Sequence, residues 1–164
     1  MNSLSKRINQ IIPVKEKKIK SRISFYNNYP KEIFPGKLYQ ELARTVITEE
    51  NIDILEVNII TVDDKYLAGL HEKFLADPAN TDVLTFLVDD RETKIGEIYL
   101  SIDRAKHHAK IYKVKLQEEC ARLVIHGLLH LKGYDDQTDD DREKMHQMEN
   151  LYLRKYWTRK KEII

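Results

Sequence analysis

The sequence predicts an α+β fold, a single compact domain in which one mixed sheet of about four strands packs with helices. Its length of 164 residues, with 41% hydrophobic and 34% charged residues, suits one soluble domain with a buried core. Strand-like and helix-like patterns follow one another without the regular alternation of a doubly wound α/β fold. One helical segment in the second half is apolar on nearly every face, which predicts a central helix.

The N-terminal half predicts a strand, a helix, a strand and a further helix. Residues 22–28 (RISFYNN) are β-branched and aromatic and end in two asparagines, as a short strand does. Residues 37–51 repeat apolar side chains at helical spacing, and residues 54–62 (ILEVNIITV) are typical of a strand. The acidic pair Asp63 and Asp64 then stands at the N-cap of the second helix.

The C-terminal half predicts a hairpin followed by helices. Residues 81–88 (TDVLTFLV) and 94–102 (KIGEIYLSI) are strands separated by a polar turn. A helix over residues 103–114 takes Asp103 as its cap, and the central helix covers residues 116–132.

Gly133 stands where a C′ glycine ends the central helix, and residues 138–157 predict a charged outer helix. Cys120 is expected to pack in the core, and a single cysteine excludes an intrachain disulfide. The longest apolar stretches are shorter than the roughly 18–20 residues that span a bilayer, so no membrane partner is expected. With no secretory signal after Met1, these features indicate the cytoplasm.

Charge is distributed unevenly along the chain. Residues 1–22 carry a net charge of +6 and residues 154–164 a net charge of +4, whereas the stretch between them carries −9. We expect residues 1–20 to be a basic, flexible extension and residues 21–164 to form the domain. Basic ends could hold a polyanion such as RNA by releasing counterions, or they could serve only solubility.

The stretch HGLLHLKGYDD (residues 126–136) contains the candidate metal site. His126 and His130 are four residues apart, so on a helix both imidazoles can face one point in space. Gly133 turns the chain and Asp136 follows, which gives a three-ligand set with one position open, as in catalytic zinc sites. We therefore expect one Zn²⁺ per chain at the end of the central helix. Hydrogen-bonded core histidines are the alternative reading, and His146 is the other candidate third ligand.

These residues resemble the H-G-x-L-H-L-x-G-Y-D-H signature of the YbeY family of metal-dependent endoribonucleases. TDVLTF (81–86) and GEIYLS (96–101) are similar to two strand motifs of the same family. The resemblance implies a compact α+β fold and zinc ligands at His126, His130 and Asp136. It also implies cleavage of single-stranded RNA in rRNA maturation, including the 16S rRNA 3′ end, and in ribosome quality control. An rRNA precursor and the ribosome or its small subunit are then the expected partners.

The sequence departs from the family pattern at two positions. Asp136 replaces the third family histidine, and Leu75 stands where many members have an arginine that is important for acting on RNA. Arg122 is a candidate replacement cation, with a surface ion pair as the alternative. Glu97 is the candidate that orients the activated water or accepts its proton, with a solvated strand carboxylate as the alternative.

Two other classes of protein remain open at this point. A metalloprotease uses the same histidine spacing, but Gly127 occupies the position of its water-activating glutamate. A zinc-stabilised ribosome-assembly factor that binds RNA without cutting it is compatible with Leu75. The other histidines are expected on the surface: His71, His107, His108 and His146.

Overall fold

The computed structural model describes residues 20–75 and 81–158, so the predicted basic extension lies, apart from Lys20, outside the described residues. The strands are β1 (Arg22–Asn27), β2 (Glu56–Val62), β3 (Val83–Asp89) and β4 (Lys94–Ser101). The helices are α1 (Gly36–Glu49), α2 (Asp64–Leu75), α3 (Ile102–Tyr112), α4 (Leu116–Lys132) and α5 (Asp139–Tyr152), and α5 continues as a π-helical turn, Leu153–Trp157.

The four strands form one mixed sheet, as the sequence predicts. Its order is β1-β2-β4-β3, with β1, β2 and β4 parallel and β3 antiparallel to β4. The predicted hairpin of β3 and β4 is therefore confirmed. The parallel pairs need crossover connections, and α1 and α2 provide these.

The helices cover the two faces of the sheet unequally. The larger core packs α1, α4 and α5 against one face, where Val57, Ile59 and Ile98 are fully buried. A smaller core packs α2 on the opposite face around Leu67. Helix α4 is central, as expected, and Cys120 on it is completely buried. Within residues 20–75 and 81–158, no helix has the length and apolar character that crossing a bilayer requires.

One predicted helix cap is wrong and two are confirmed. The Ser101 side chain, not Asp103, caps α3 by accepting a hydrogen bond from the Arg104 amide at 3.3 Å. Asp103 lies two residues after Ser101, where its carboxylate accepts hydrogen bonds from the Tyr29 hydroxyl and the Asp64 amide. Asp63 caps α2, and Gly133 ends α4 with a φ of 111°, in the left-handed region that glycine tolerates.

Gly127 allows α4 to lie close against the sheet. A Cβ at this position would stand 2.6 Å from Cγ2 of Ile98 and 3.1 Å from its Cδ1. Ile98 is itself fully buried, so it has no free space to turn into. Residue 127 therefore faces strand β4, while the histidines on either side of it in the motif face away from the sheet.

We expect Gly127→Ala to lower the free energy of unfolding by about 1–3 kcal/mol, because the added methyl overpacks the helix–sheet contact. Gly69→Ala is the matched control, since a Cβ at this helical position meets nothing within 4 Å. That control should raise stability by roughly 0.5–1 kcal/mol. Urea unfolding of both variants measures the difference, and a Gly127→Ala protein as stable as the wild type would contradict the close approach.

Candidate metal centre

Three side chains converge where α4 ends and the following loop returns along it. The Nε2 atoms of His126 and His130 lie 2.9 Å apart, and each lies 3.4 Å from Oδ2 of Asp136. Among the described residues, this group of three could hold a metal ion. His146, the alternative third ligand, lies outside the group, and its Nδ1 is 3.4 Å from Oε2 of Glu149.

A hydrogen bond on the far side of each ring determines which nitrogen faces the other ligands. Nδ1 of His126 lies 2.6 Å from Oε1 of Glu149, and Nδ1 of His130 lies 3.0 Å from the carbonyl oxygen of Tyr134. Because an ionised carboxylate and a carbonyl only accept hydrogen bonds, each Nδ1 carries a proton and donates it. Each Nε2 then presents a lone pair, the form in which imidazole binds a metal.

The point where the three groups meet requires positive charge. Two nitrogen lone pairs and a carboxylate oxygen repel one another at these distances unless a proton or a cation lies between them. Burial disfavours the charged form of His126, but the hydrogen bond and charge of Glu149 outweigh burial and raise the pKa of His126. Two imidazole nitrogens and one carboxylate oxygen are a ligand set that suits Zn²⁺, which would displace that proton.

The turn after α4 brings Asp136 back to the histidines. Gly133 reverses the chain, and the Tyr134 amide donates to a carbonyl in the last turn of α4 at 3.0 Å. Arg142, from the first turns of α5, donates through Nη1 to two loop carbonyl oxygens, including that of Asp136 at 3.1 Å. The loop is thus held at both ends, which restricts where the third ligand can lie.

An open cleft of about 590 Å³ runs beside α4 and contains this group. Its walls come from α3, α4, α5, β3 and the end of α2. The ligands lie toward the C-terminal end of α4, and the cleft continues along the helix toward its N-terminus. The charged residues that line it are Asp82, Glu119, Arg122, Asp136, Arg142 and Glu149.

Glu149 is the site residue that sequence reasoning missed. It is 2% exposed, and its carboxylate is shared between His126 and Arg122, whose Nη1 donates to Oε2 at 3.2 Å. Burial favours the neutral acid, but the hydrogen bonds from His126 and Arg122 outweigh it and lower the pKa of Glu149. The available signal was its helical spacing from Met145 and Tyr152, which puts a carboxylate on the buried stripe of α5.

Arg122, the candidate replacement cation, lies in the cleft, but its guanidinium is already paired. Besides Glu149, its Nη1 donates to Oδ1 of Asn150 at 3.0 Å. The side chain is 25% exposed, so it is neither a free cation nor a surface ion pair. Its position suits a role in holding Glu149, which in turn orients His126.

Glu97 does not belong to the cleft, in contrast to the expectation. Its neighbours Gly96 and Ile98 face α4, and side chains alternate along a strand, so Glu97 points to the opposite face of the sheet. There its carboxylate accepts a hydrogen bond from the Tyr99 hydroxyl at 2.8 Å. The structure thus separates Glu97 from the three ligands, and a proton-accepting role at the metal has no geometric support.

The remaining histidines divide between the surface and the cleft. His107 and His146 are exposed, as expected, although His146 also lies at the edge of the cleft. The surface prediction for His71 is wrong, because this side chain is 8% exposed and lines the cleft. His108 is half-buried and also lines the cleft, on the wall formed by α3.

Glu119 is a second buried carboxyl group in the cleft, two helical turns before His126. Burial raises its pKa to about 7; Arg122 opposes this shift, while neighbouring carboxylates add to it. The three carboxylates concerned are Asp82, Glu149 and Glu118. Its Oε2 atom has no hydrogen-bond partner among the described residues.

The fold and the site define an α+β protein with a helix-borne group that could hold a catalytic metal ion at an open cleft. Residues 24–157 match the family described as Endoribonuclease YbeY. The chain belongs to the YbeY family.

Several curated relatives and one solved structure are similar to the chain over most of its length. An Endoribonuclease YbeY from Endomicrobium trichonymphae is 43% identical over 129 residues, which is 79% of this chain and 89% of the relative. The Endoribonuclease YbeY of Karelsulcia muelleri is 35% identical over 141 residues, 86% of this chain and 99% of the relative. A solution structure from Thermotoga maritima matches with a TM-score of 0.59 at 27% identity, covering 85% of this chain and 92% of that one.

We expect Glu149→Gln to weaken zinc binding by roughly 10–100-fold, because the neutral amide lacks the negative charge of the carboxylate that orients His126. Glu143→Gln on the exposed face of α5 is the control and should bind zinc as the wild type does. Competition with a chromophoric chelator at pH 8 measures both affinities. Equal affinities for the two variants would show that Glu149 does not support the ligand.

We expect Glu119→Gln to make stability less dependent on pH. Since the folded state holds the Glu119 proton up to about pH 7 and the unfolded chain releases it near pH 4.5, stability falls as pH rises through that window. At pH 8 the variant should be more stable than the wild type by at most about 2–3 kcal/mol, and the gain should vanish below that window.

Urea unfolding of metal-free protein from pH 4 to 8 measures this effect. Glu72→Gln, at an exposed position of α2, should follow the wild type throughout. A Glu119→Gln protein that is less stable than the wild type at pH 8 would contradict the argument.

Proposed function

We propose that this protein is a zinc-dependent endoribonuclease that cuts single-stranded RNA, with one zinc ion per chain held by His126, His130 and Asp136. Its membership of the YbeY family supports an RNA endonuclease function. The observation that carries the zinc proposal is the convergence of three possible ligand atoms at the wall of an open cleft. When bound, a divalent ion would supply Lewis-acid chemistry, polarising a phosphodiester oxygen and lowering the pKa of water.

The chain's own residues then have distinct tasks. Glu149 and the Tyr134 carbonyl hold the imidazoles in the tautomer that binds metal. Arg122 fixes Glu149, and Arg142 fixes the loop that carries Asp136. All four act on the position of the ligands, so the site is built before a substrate arrives.

The charge of the cleft also supports metal dependence. Four carboxyl groups line it against two arginines, both of which hydrogen-bond to protein oxygens. Such a wall repels an RNA phosphate, and one divalent ion would offset the excess negative charge. The basic ends of the chain, at residues 1–22 and 154–164, would add attraction for a polyanion.

We further propose that the RNA is an rRNA precursor. The protein would act in the cytoplasm on the ribosome or its small subunit, at the 16S rRNA 3′ end and in ribosome quality control. These roles rest on family membership alone. A metalloprotease is disfavoured, because residue 127 faces the buried Ile98 and a glutamate there would point into the sheet.

Leu75 favours one alternative, a zinc-stabilised ribosome-assembly factor that binds RNA without cutting it. The side chain is 56% exposed and lines the cleft, at the position where many family members have an arginine. An apolar group there gives the phosphate no partner, so catalysis depends more heavily on the ion.

The proposal predicts that cleavage of a labelled single-stranded RNA requires metal. Wild-type protein should contain one zinc per chain, lose cleavage in a chelator and regain it with added zinc. His130→Ala should lose both zinc and cleavage, by at least about 100-fold in rate, because the ion supplies several kcal/mol of transition-state stabilisation. Tyr66→Ala, on α2 outside the cleft, is the control that retains both.

RNA binding without any metal-dependent cleavage would contradict the nuclease and favour the assembly factor. Cleavage that survives in His130→Ala would contradict the assignment of the metal centre.

A further inference from the structure

The part of the cleft toward the N-terminus of α4 differs in chemistry from the metal centre. Two rings of α3, His108 and Tyr112, form one side of it. The carboxyl groups of Asp82 and Glu119 form another. We call this region, defined by these four residues, the distal subsite.

The aromatic pair offers a surface on which a flat ring can stack. The His108 and Tyr112 ring centroids are 6.0 Å apart with an angle of 53° between the planes. Tyr112 is 60% exposed although it lines a cleft. Exposed aromatic side chains beside a groove are the usual platform for the bases of single-stranded nucleic acid.

The carboxyl groups make the distal subsite unsuitable for phosphate. Nδ1 of His108 lies 3.5 Å from Oδ2 of Asp82 and 3.9 Å from Oε1 of Glu119. Glu119 is 2% exposed, and its Oε2 has no hydrogen-bond partner among the described residues, although Nε of Arg122 lies 3.8 Å away. Asp82 is about one-third exposed and can be reached from the cleft. The wall therefore favours an uncharged group that brings its own N–H donor.

The distal subsite lies within one nucleotide of the metal centre. Glu119 and His126 are seven residues apart on α4, which places them on one face of the helix and about 10 Å apart along its axis. A nucleotide whose phosphate lies at the metal centre can extend its base over that distance.

We propose that the distal subsite binds the base of the RNA strand and selects bases that carry an exocyclic amino group over uracil. The base stacks on Tyr112 and His108, and Asp82 accepts a hydrogen bond from the exocyclic amino group. Uracil has no such group, and its two carbonyl oxygens flank its single ring N–H, so the carboxylate repels them. The orientation of the strand rests on the proposed nuclease function, whereas base binding does not.

The first test compares cleavage of equal-length homopolymer RNAs by zinc-loaded protein. Wild type should cut cytidine and adenosine oligomers with a kcat/KM about tenfold above that for uridine oligomers. Asp82→Asn should abolish this preference, because an amide can donate to the uracil oxygen. Tyr112→Ala should raise KM about tenfold for every base without changing the preference. Tyr66→Ala, on α2 outside the cleft, should leave all values unchanged.

The second test detects base binding without catalysis. Cytidine added to zinc-loaded wild-type protein should shift the ring proton signals of His108 and Tyr112 in NMR spectra, and uridine should need about tenfold more nucleoside for the same shift. Asp82→Asn should respond to both nucleosides alike.

The two tests separate this inference from the nuclease proposal. If cytidine shifts the ring signals but no RNA is cut, the distal subsite stands and the nuclease function fails. If RNA is cut with no base preference and cytidine shifts neither ring, the distal subsite is overturned and the nuclease function stands. A preference that persists unchanged in Asp82→Asn overturns the role of Asp82.

Discussion

The contact between α4 and β4 is the constraint on which the rest of the molecule depends. Gly127 on the helix meets Ile98, and Gly96 on the strand meets Leu131, with no room for a Cβ at either glycine. Two glycines on facing elements thus leave space for the side chains of Ile98 and Leu131 between the helix and the sheet. Because the face of α4 that carries Gly127 packs against the sheet, His126 points away from the sheet, toward the cleft and α5.

That placement explains why a carboxylate from another helix completes the site. Once α4 lies against the sheet, its cleft-facing side meets α5, where Glu149 reaches His126 and Arg122 together. The buried carboxylate is stable as an anion only because those two groups surround it. The hydrogen bond from Nδ1 of His126 to Glu149 directs Nε2 of His126 toward Asp136. The packing of α5 against α4 thus orients a side chain of the group that could hold a cation.

The sequence was sufficient for the fold class and for the grouping of His126, His130 and Asp136, because periodicity and short-range spacing indicate both. The four-residue interval between His126 and His130, with Gly133 behind them, determines a shared helix face wherever the helix lies. The sequence was insufficient for Glu97 and Glu149, because their roles depend on long-range packing. Both faces of β4 are covered, so alternation alone does not reveal which face α4 occupies. Likewise, the role of Glu149 on α5 depends on α4, which packs beside it and carries His126 and Arg122.

The most direct test of the account is the anomalous diffraction of a zinc-loaded crystal, which locates the ion and its ligand atoms together. The account predicts one zinc ion bound by Nε2 of His126, Nε2 of His130 and a carboxylate oxygen of Asp136. It also predicts that both Nδ1 atoms keep their hydrogen bonds to Glu149 and the Tyr134 carbonyl. Ligation through Nδ1, or an ion held by His146 in place of Asp136, would contradict it.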